Sequence, residues 1–357
     1  MSDSKLLATA FSLLDQPVVL AKKERIAYMN QAAIKLAAKD MTGKPLSLLI
    51  PSHILNTQAD SFIASAFMGT KSCTVKLSSC DGYKVFAMSC GAPEVESNDM
   101  LHTELRSTLA NVKFAASCIS VLAENDNNEK LSEYVCSLNR SYYRMKHAVD
   151  NVTALSALSK GTMPFRPEPI DISELCRSTI AVVMSMTSES GIKISFHSED
   201  SIKIIADRDL VQHLLLNLLS NSLIHCAKDG RISVSLLRTD QNLILSVDDN
   251  GSGIEQPELA YAFDRFRHEV NLTQVQGTGM GLALVRGIAE LHKGAVIIES
   301  RGENMGTSVR VMLSFDVPAS KYFSAPEPDY QTGSLRAILT ELSDCLPVEC
   351  FSEKLED

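Results

Sequence analysis

Apolar and polar positions change their period several times along the chain, and each change predicts a different kind of element. Val18-Val-Leu-Ala21 and Arg25-Ile-Ala-Tyr-Met29 are short apolar runs around the charged triplet Lys22-Lys-Glu24, a hairpin pattern. The segment from Asn30 to Leu36 reads as a helix. Ser72–Ser78 and Tyr83–Ser89 read as strands flanking a turn at Cys80-Asp-Gly82. A polar stretch, Gly91–Asn98, marks a boundary. Beyond it the period becomes helical. Leu101, Leu105, Leu109, Val112, Ala116 and Ile119 form one stripe, and Leu131, Val135, Leu138, Tyr142, Met145, Val149, Val152 and Leu158 form a second. The polar run Glu124–Asn128 separates them. The pattern predicts a helical hairpin with heptad-like seams. A lone hairpin buries such stripes poorly, so a second copy completing a four-helix bundle is expected, making the protein a homodimer.

Gly161-Thr-Met-Pro164 ends the second helix, and an extended segment, Arg166–Leu175, follows with Ser173 as a candidate helix N-cap. Strands are expected at 192–196, 202–206, 232–236, 243–247, 295–300 and 307–315, and helices at about 207–227 and 279–292. This alternation predicts an α/β sandwich, a mixed sheet with helices on one face. Past Pro318 the composition turns rich in Pro and Ser. One short amphipathic segment, Leu335–Leu342, remains there as a packing helix or a partner peptide. The fold class is therefore α+β multidomain. Residues 1–90 form a small α+β module, 98–162 the hairpin, 165–317 the sandwich and 318–357 a tail.

Composition narrows the function classes. Hydrophobic residues at 45% and charged residues at 22% are ordinary for globular domains. A net charge of −9 argues against a nucleic-acid partner, which calls for a basic face. The most apolar stretch, Leu214–Leu223, is far shorter than the ~20 residues of a membrane span and is interrupted by polar side chains. The amino terminus lacks the pattern of a signal peptide. A cytoplasmic location follows as the expectation. The nine cysteines make no CxxC pair, and free thiols are expected.

Four blocks carry the candidate chemistry. Asn217-Leu-Leu-Ser-Asn221 places two carboxamides four residues apart, on one helix face. A carboxamide oxygen is a hard, neutral ligand that suits Mg²⁺. Asp249-Asn-Gly251-Ser-Gly253 follows an apolar strand, where a carboxylate can accept from an exocyclic amine and glycines let backbone approach a flat ligand. Phe263-Asp-Arg-Phe-Arg-His268 opens a long polar stretch of the kind that forms lids. Gly277-Thr-Gly279-Met-Gly281-Leu282 opens a helix whose first N–H groups can face an anion. In that order and spacing the blocks resemble the nucleotide-binding domain of sensor histidine kinases.

The resemblance implies an ATP site with Mg²⁺ as cofactor. It makes Asn221 the metal ligand and Asn217 its neighbour, and has Asp249 read the adenine amine. Gly251, Gly253, Gly277, Thr278, Gly279, Gly281 and Leu282 would cradle the nucleotide, and Phe263, Arg265 and Arg267 would belong to the lid block. Gly306-Thr307 is similar to the family's last glycine block. The chain departs from the pattern in two places: Arg267-His268 where Tyr-Arg is usual, and Ile224 where Lys is frequent, with His225 at a commonly aromatic position. Residues 1–90 resemble a PAS sensor module, with a strand ending in Asn30 leading into Ala32-Ala33.

The phosphoacceptor block of the family reads His-Glu-Leu-Arg. This chain reads Leu101-His102-Thr103-Glu104-Leu105-Arg106, which puts Thr103 in the acceptor register. At about 100° per residue, Thr103 points away from the apolar stripe and His102 sits on its flank, about 80° from the centre. Three readings stand. His102 accepts the phosphoryl group with Glu104 as a nearby base or orienting carboxylate. Or the hairpin is degenerate, and a pseudokinase controls a partner by conformation. Or Thr103 is the acceptor. The first reading implies a response-regulator protein as the partner that takes the group onto an Asp.

Overall fold

The computed structural model describes residues 17–50, 55, 61–68, 71–80, 83–90, 99–125, 128–199, 201–255, 259, 261–263, 279–300, 302, 304–317 and 335–352. Strands β1 (Val18–Lys22) and β2 (Arg25–Met29) form the expected hairpin, and helix α1 (Gln31–Ala37) follows. Asn30 joins the two. Its Oδ1 caps the helix from Ala33 N at 2.9 Å and also accepts from Val18 N at 2.9 Å. Strands β3 (Ser61–Met68), β4 (Lys71–Cys80) and β5 (Tyr83–Cys90) complete an antiparallel sheet in the order β2-β1-β5-β4-β3. Cys73 is disulfide-bonded, which corrects the expectation of free thiols throughout. The register brings Cys90 opposite Cys73, a proximity that spacing along the chain does not reveal.

Helices α2 (Asp99–Asn125) and α3 (Glu129–Lys160) form the hairpin. Asn128 caps α3 by accepting from Leu131 N at 3.2 Å, and Gly161 in the left-handed region closes it. The two predicted stripes do not close on each other completely. Leu109, Ala116 and Val135 are buried, but Leu105 and Met145 are exposed, as are Phe114, Leu122 and Tyr134 beside them. The best-buried face of α3 is instead a largely polar one, carrying Asn139, Tyr143, His147, Asp150 and Asn151.

The second half is built on a mixed sheet. Strands β9 (Arg231–Arg238), β10 (Asn242–Asp249), β12 (Thr307–Ser314) and β11 (Ala295–Ser300) are antiparallel, with β7 (Lys193–His197) parallel to β9 at the edge. Strand β6 (Glu168–Asp171) pairs with β8 (Lys203–Ala206) apart from it. Helices α4 (Ile172–Met186), α5 (Arg208–His225) and α6 (Gly281–Leu291) share one core with the sheet, led by Leu214, Leu215, Leu219, Val234, Leu245, Leu284 and Ile288. Helix α4 begins one step before the candidate cap. Asp171 accepts from Glu174 N at 3.1 Å, while Ser173 lies inside the first turn and its hydroxyl takes Ile202 N at 3.2 Å.

Two contacts reach beyond the predicted layout. Strand β3 pairs with β11 at Ala64–Ile297 and Ile63–Ile298, so one ten-stranded sheet runs through both halves. Ala295, Ile297 and Met312 thereby enter the core of the first module. The tail also returns: helix α7 (Leu335–Glu341) and the turn Val348–Phe351 pack on α3 and α5 through Ile338, Leu339, Leu342, Leu346 and Phe351. The amphipathic tail segment is thus a packing helix.

Candidate nucleotide site

The site lies where α5, the end of β10 and the start of α6 meet. Helix α5 begins at Asp207, whose Oδ1 accepts from Asp209 N and Leu210 N, both at 3.1 Å. His292, at the far end of α6, fixes that corner. Its Nε2 accepts from Asp207 N at 3.0 Å, so Nδ1 carries the proton and donates to Ile288 O at 2.8 Å. Burial pushes this imidazole below its ordinary value, consistent with a neutral ring.

Asn217 and Asn221 lie on α5 facing α6, as their spacing requires. Asn217 Oδ1 sits 2.7 Å from where a Cβ on Gly281 would stand, and Asn221 Nδ2 sits 3.7 Å from the same point. Only glycine admits that approach. Asn221 Nδ2 is buried and has no hydrogen-bond partner among the described residues. Such an atom is costly unless something satisfies it. Helix α6 opens without a side-chain cap among the described residues, so its first-turn N–H groups are candidate donors to an anion. Gly279 and Leu282 flank this opening. An uncompensated amide, an uncapped helix start and a cradle that a methyl group would fill together suit a metal-bound phosphate chain.

Asp249 closes the other wall. Its Oδ1 accepts from Gly251 N at 2.9 Å and Thr307 N at 3.2 Å, and its Oδ2 accepts from the Ser222 hydroxyl at 3.2 Å. These donors aim the carboxylate and leave acceptor capacity on Oδ2 for an amine. Gly253 has a φ of +71°, and a Cβ there would collide with the Gly302 carbonyl. Asn250 holds the turn by accepting from Arg231 N at 2.7 Å. His225 is exposed on the rim, and its carbonyl accepts from Ser252 N at 3.0 Å.

The remaining predicted residues divide. Phe263 is buried in the core with the Arg286 guanidinium 5.6 Å from its ring centroid, so it anchors the start of the lid block. Arg265, Arg267, Gly277 and Thr278 lie outside the described residues. His102 and Glu104 fall in the first turns of α2, with side chains outside the described set.

Three residues near the site were missed by the sequence reading: Ser222, His213 and Glu341. Glu341 is buried and lies 2.9 Å from Asn217 Nδ2. A signal for it exists. Glu341 interrupts the apolar run Ile338, Leu339, Leu342, and a carboxylate on an apolar face demands a buried partner.

Residues 206–317 match the family of histidine kinase-, DNA gyrase B-, and HSP90-like ATPases. The chain is 30% identical over 186 residues to the signal transduction histidine-protein kinase BaeS of Escherichia coli (strain K12), covering 52% of this chain and 40% of BaeS. It is 25% identical over 208 residues to the adaptive-response sensory kinase SasA of Synechocystis sp., covering 57% of this chain and 54% of SasA. The chain spans about half or less of the length of the curated relatives it matches. Full-length ShkA, solved in complex with AMPPNP, aligns with a TM-score of 0.50 at 23% identity, over 62% of this chain and 46% of ShkA, a likeness of fold. No helix among the described residues is long and apolar enough to cross a membrane. Residues 206–317 therefore form an ATPase domain of the histidine kinase, gyrase B and HSP90 type, in a chain related to sensor histidine kinases.

Proposed function

We propose that this protein is a sensor histidine kinase of a two-component system. The observation that carries the reading is that Asn217 and Asn221 stand against the backbone of Gly281, with the Asn221 amide nitrogen unpaired among the described residues, while the next residue of the same helix, Ser222, donates to Asp249. Asp249 selects adenine by accepting from its amine. The opening turn of α6 binds the phosphates through backbone N–H groups. Asn221 would hold Mg²⁺ through its carboxamide oxygen, and the ion would shield the phosphate charge. His102 is the phosphoacceptor: its ring nitrogen attacks the γ-phosphorus, a P–N bond forms, the β–γ bridging P–O bond breaks, and ADP leaves. Glu104, two residues on, orients the ring or takes its proton. A response-regulator Asp then receives the group.

Residues 1–90 serve as a PAS-like sensor, joined to the ATPase sheet through the β3–β11 seam. The hairpin pairs with a second copy into a four-helix bundle. Phe114 at 71% and Tyr134 at 70% exposure support this, together with Leu105, Leu122 and Met145, because apolar surface so concentrated calls for a cover.

Incubation with γ-labelled ATP and magnesium should give acid-labile, alkali-stable label that is lost in His102→Ala and kept in Thr103→Ala. Nucleotide binding without any label would make the chain an ATP-gated regulator that acts by conformation. Acid-stable label lost in Thr103→Ala would move the acceptor to the hydroxyl.

A further inference from the structure

We propose that Glu341, delivered by the carboxy-terminal segment, is a positioning residue for the nucleotide site: it holds the Asn217 carboxamide with its oxygen turned toward Gly281. The inference rests on the nucleotide reading above and names a device within that site.

The carboxamide nitrogen of Asn217 has two partners. It donates to His213 O at 3.1 Å and to Glu341 Oε2 at 2.9 Å. Both are acceptors only, so the amino end must lie there. The oxygen is then forced to the opposite side, against the first residue of α6. Without Glu341 the only described partner of the amino group is a carbonyl on its own helix, one turn back. A single bond of that kind leaves the amide free to turn over.

Glu341 is itself held from several sides. His213 Nε2, on α5, lies 2.9 Å from Oε1, and His147 Nε2, on α3, lies 3.4 Å from Oε2. The His147 ring meets Asn151 Nδ2 at 2.8 Å. Burial alone would raise the carboxyl, but the two imidazoles outweigh it and keep Glu341 well below the ordinary carboxylate range. The segment carrying it is anchored by Ile338, Leu339, Leu342 and Phe351, all fully buried. An ionised carboxylate at such depth is expensive to place for packing alone, since a leucine would fill the same space without desolvating a charge. Its geometry is that of an outer partner that orients a side chain lining the site.

The test uses the full chain and two probes, magnesium–AMPPNP and adenosine, titrated by calorimetry. Adenosine meets the Asp249 wall, whereas the phosphates meet the wall that Asn217 faces. Glu341→Ala should weaken magnesium–AMPPNP on the order of tenfold and leave adenosine unchanged. Glu341→Gln, which keeps an oxygen for Asn217, should fall between. In an Asn217→Ala background either change should add nothing. Equal losses for both probes, or the same loss with and without Asn217, would reduce Glu341 to a packing residue and overturn the proposal. Should the Ala variant fail to fold, Glu341→Gln with and without Asn217 makes the same comparison. Uptake by all variants alike sinks this inference alone. If the unaltered chain takes up neither probe, the nucleotide reading fails and this inference falls with it.

Discussion

The two walls of the proposed nucleotide site are built in different ways. The Asp249 wall is held mostly by backbone. Two of its three donors are Gly251 N, from the turn two residues on, and Thr307 N, which faces Asp249 across the β10–β12 ladder; the third is the Ser222 hydroxyl. The Asn217 wall rests on one helix carbonyl, His213 O, and on side chains from three elements, and its buried charge comes from a tail 124 residues further along. A wall made of backbone N–H groups needs only the right turn. A wall made of paired charges needs every partner present and in the right protonation state. The second wall should therefore respond more to distant changes and to pH.

The largest test removes the tail's anchor. Phe351 is fully buried, packs 5.7 Å from the Tyr143 ring, and its carbonyl accepts from Asn139 Nδ2 at 3.1 Å. Phe351→Ala should cost about 3–5 kcal/mol in urea unfolding. The comparison predicts that magnesium–AMPPNP binding falls while the Asp249 wall persists, visible as retained adenosine uptake. Loss of both together would show that the walls are one cooperative unit.

Next is Asp249→Asn. The amide would turn an N–H toward Gly251 N, Thr307 N or the Ser222 hydroxyl, or lose an acceptor needed for adenine. About 1–3 kcal/mol of stability should go, with adenosine affinity falling more than the affinity for inorganic triphosphate. An unchanged adenosine titration would remove Asp249 from adenine recognition.

The pH response comes third. Burial pulls the His147 imidazole down, but Glu341 and Asp344 from the tail and Asp150 on its own helix outweigh this and raise it. Its contribution to stability is full below the ordinary histidine value of 6.5 and drains away as pH rises through the raised folded value. Glu341, held low by His213 and His147, contributes above the ordinary glutamate value of 4.5 and loses that contribution on acidification through its depressed value. Arg144 faces Asp344 and Lys146 faces Asp150, so both cations temper the field at His147. Tail docking should be firmest between about 4.5 and 6.5 and loosen on the alkaline side. Unfolding of His147→Gln followed upward from about 6.5 should show a flatter loss of stability with pH; an identical slope would exclude His147 as its source.

The smallest effect is expected at Arg144→Ala. The pair with Asp344 is short, 2.6 Å, but the arginine side chain is half exposed. About 0–1 kcal/mol should be lost, and 1 M salt should mimic the change in the unaltered protein. A larger, salt-independent loss would mean that the tail depends on this pair more than on its buried leucines.

Much of the cleft was legible because its requirements are local. A carboxamide pair one helical turn apart, an acidic strand end and glycines at a helix start state their geometry within a few residues. Asn217 and Asn221 lie against Gly281, and Asp249 lies against Gly251, within the distances their spacing implied. The hairpin helices were legible from period, but not the face that becomes buried. On α3 a polar face lies inside because the tail brings Glu341, Asp344 and the Phe351 carbonyl to meet it. Strand β3 was missed because Ser61–Met68 mixes small and apolar residues without alternation, and its pairing with β11 joins segments more than two hundred residues apart.

By itself, then, the order of residues determined the local elements, the glycine turns and the kinds of ligand they admit, since φ preferences, helical spacing and hydrogen-bonding capacity act over a few residues. Only the folded chain decided which charges share a site: Glu341 beside His147, His213 and Asn217, and β3 beside β11. Those encounters depend on how separate elements pack, because a buried charge takes its partners from whatever surface is brought against it, at any distance along the sequence.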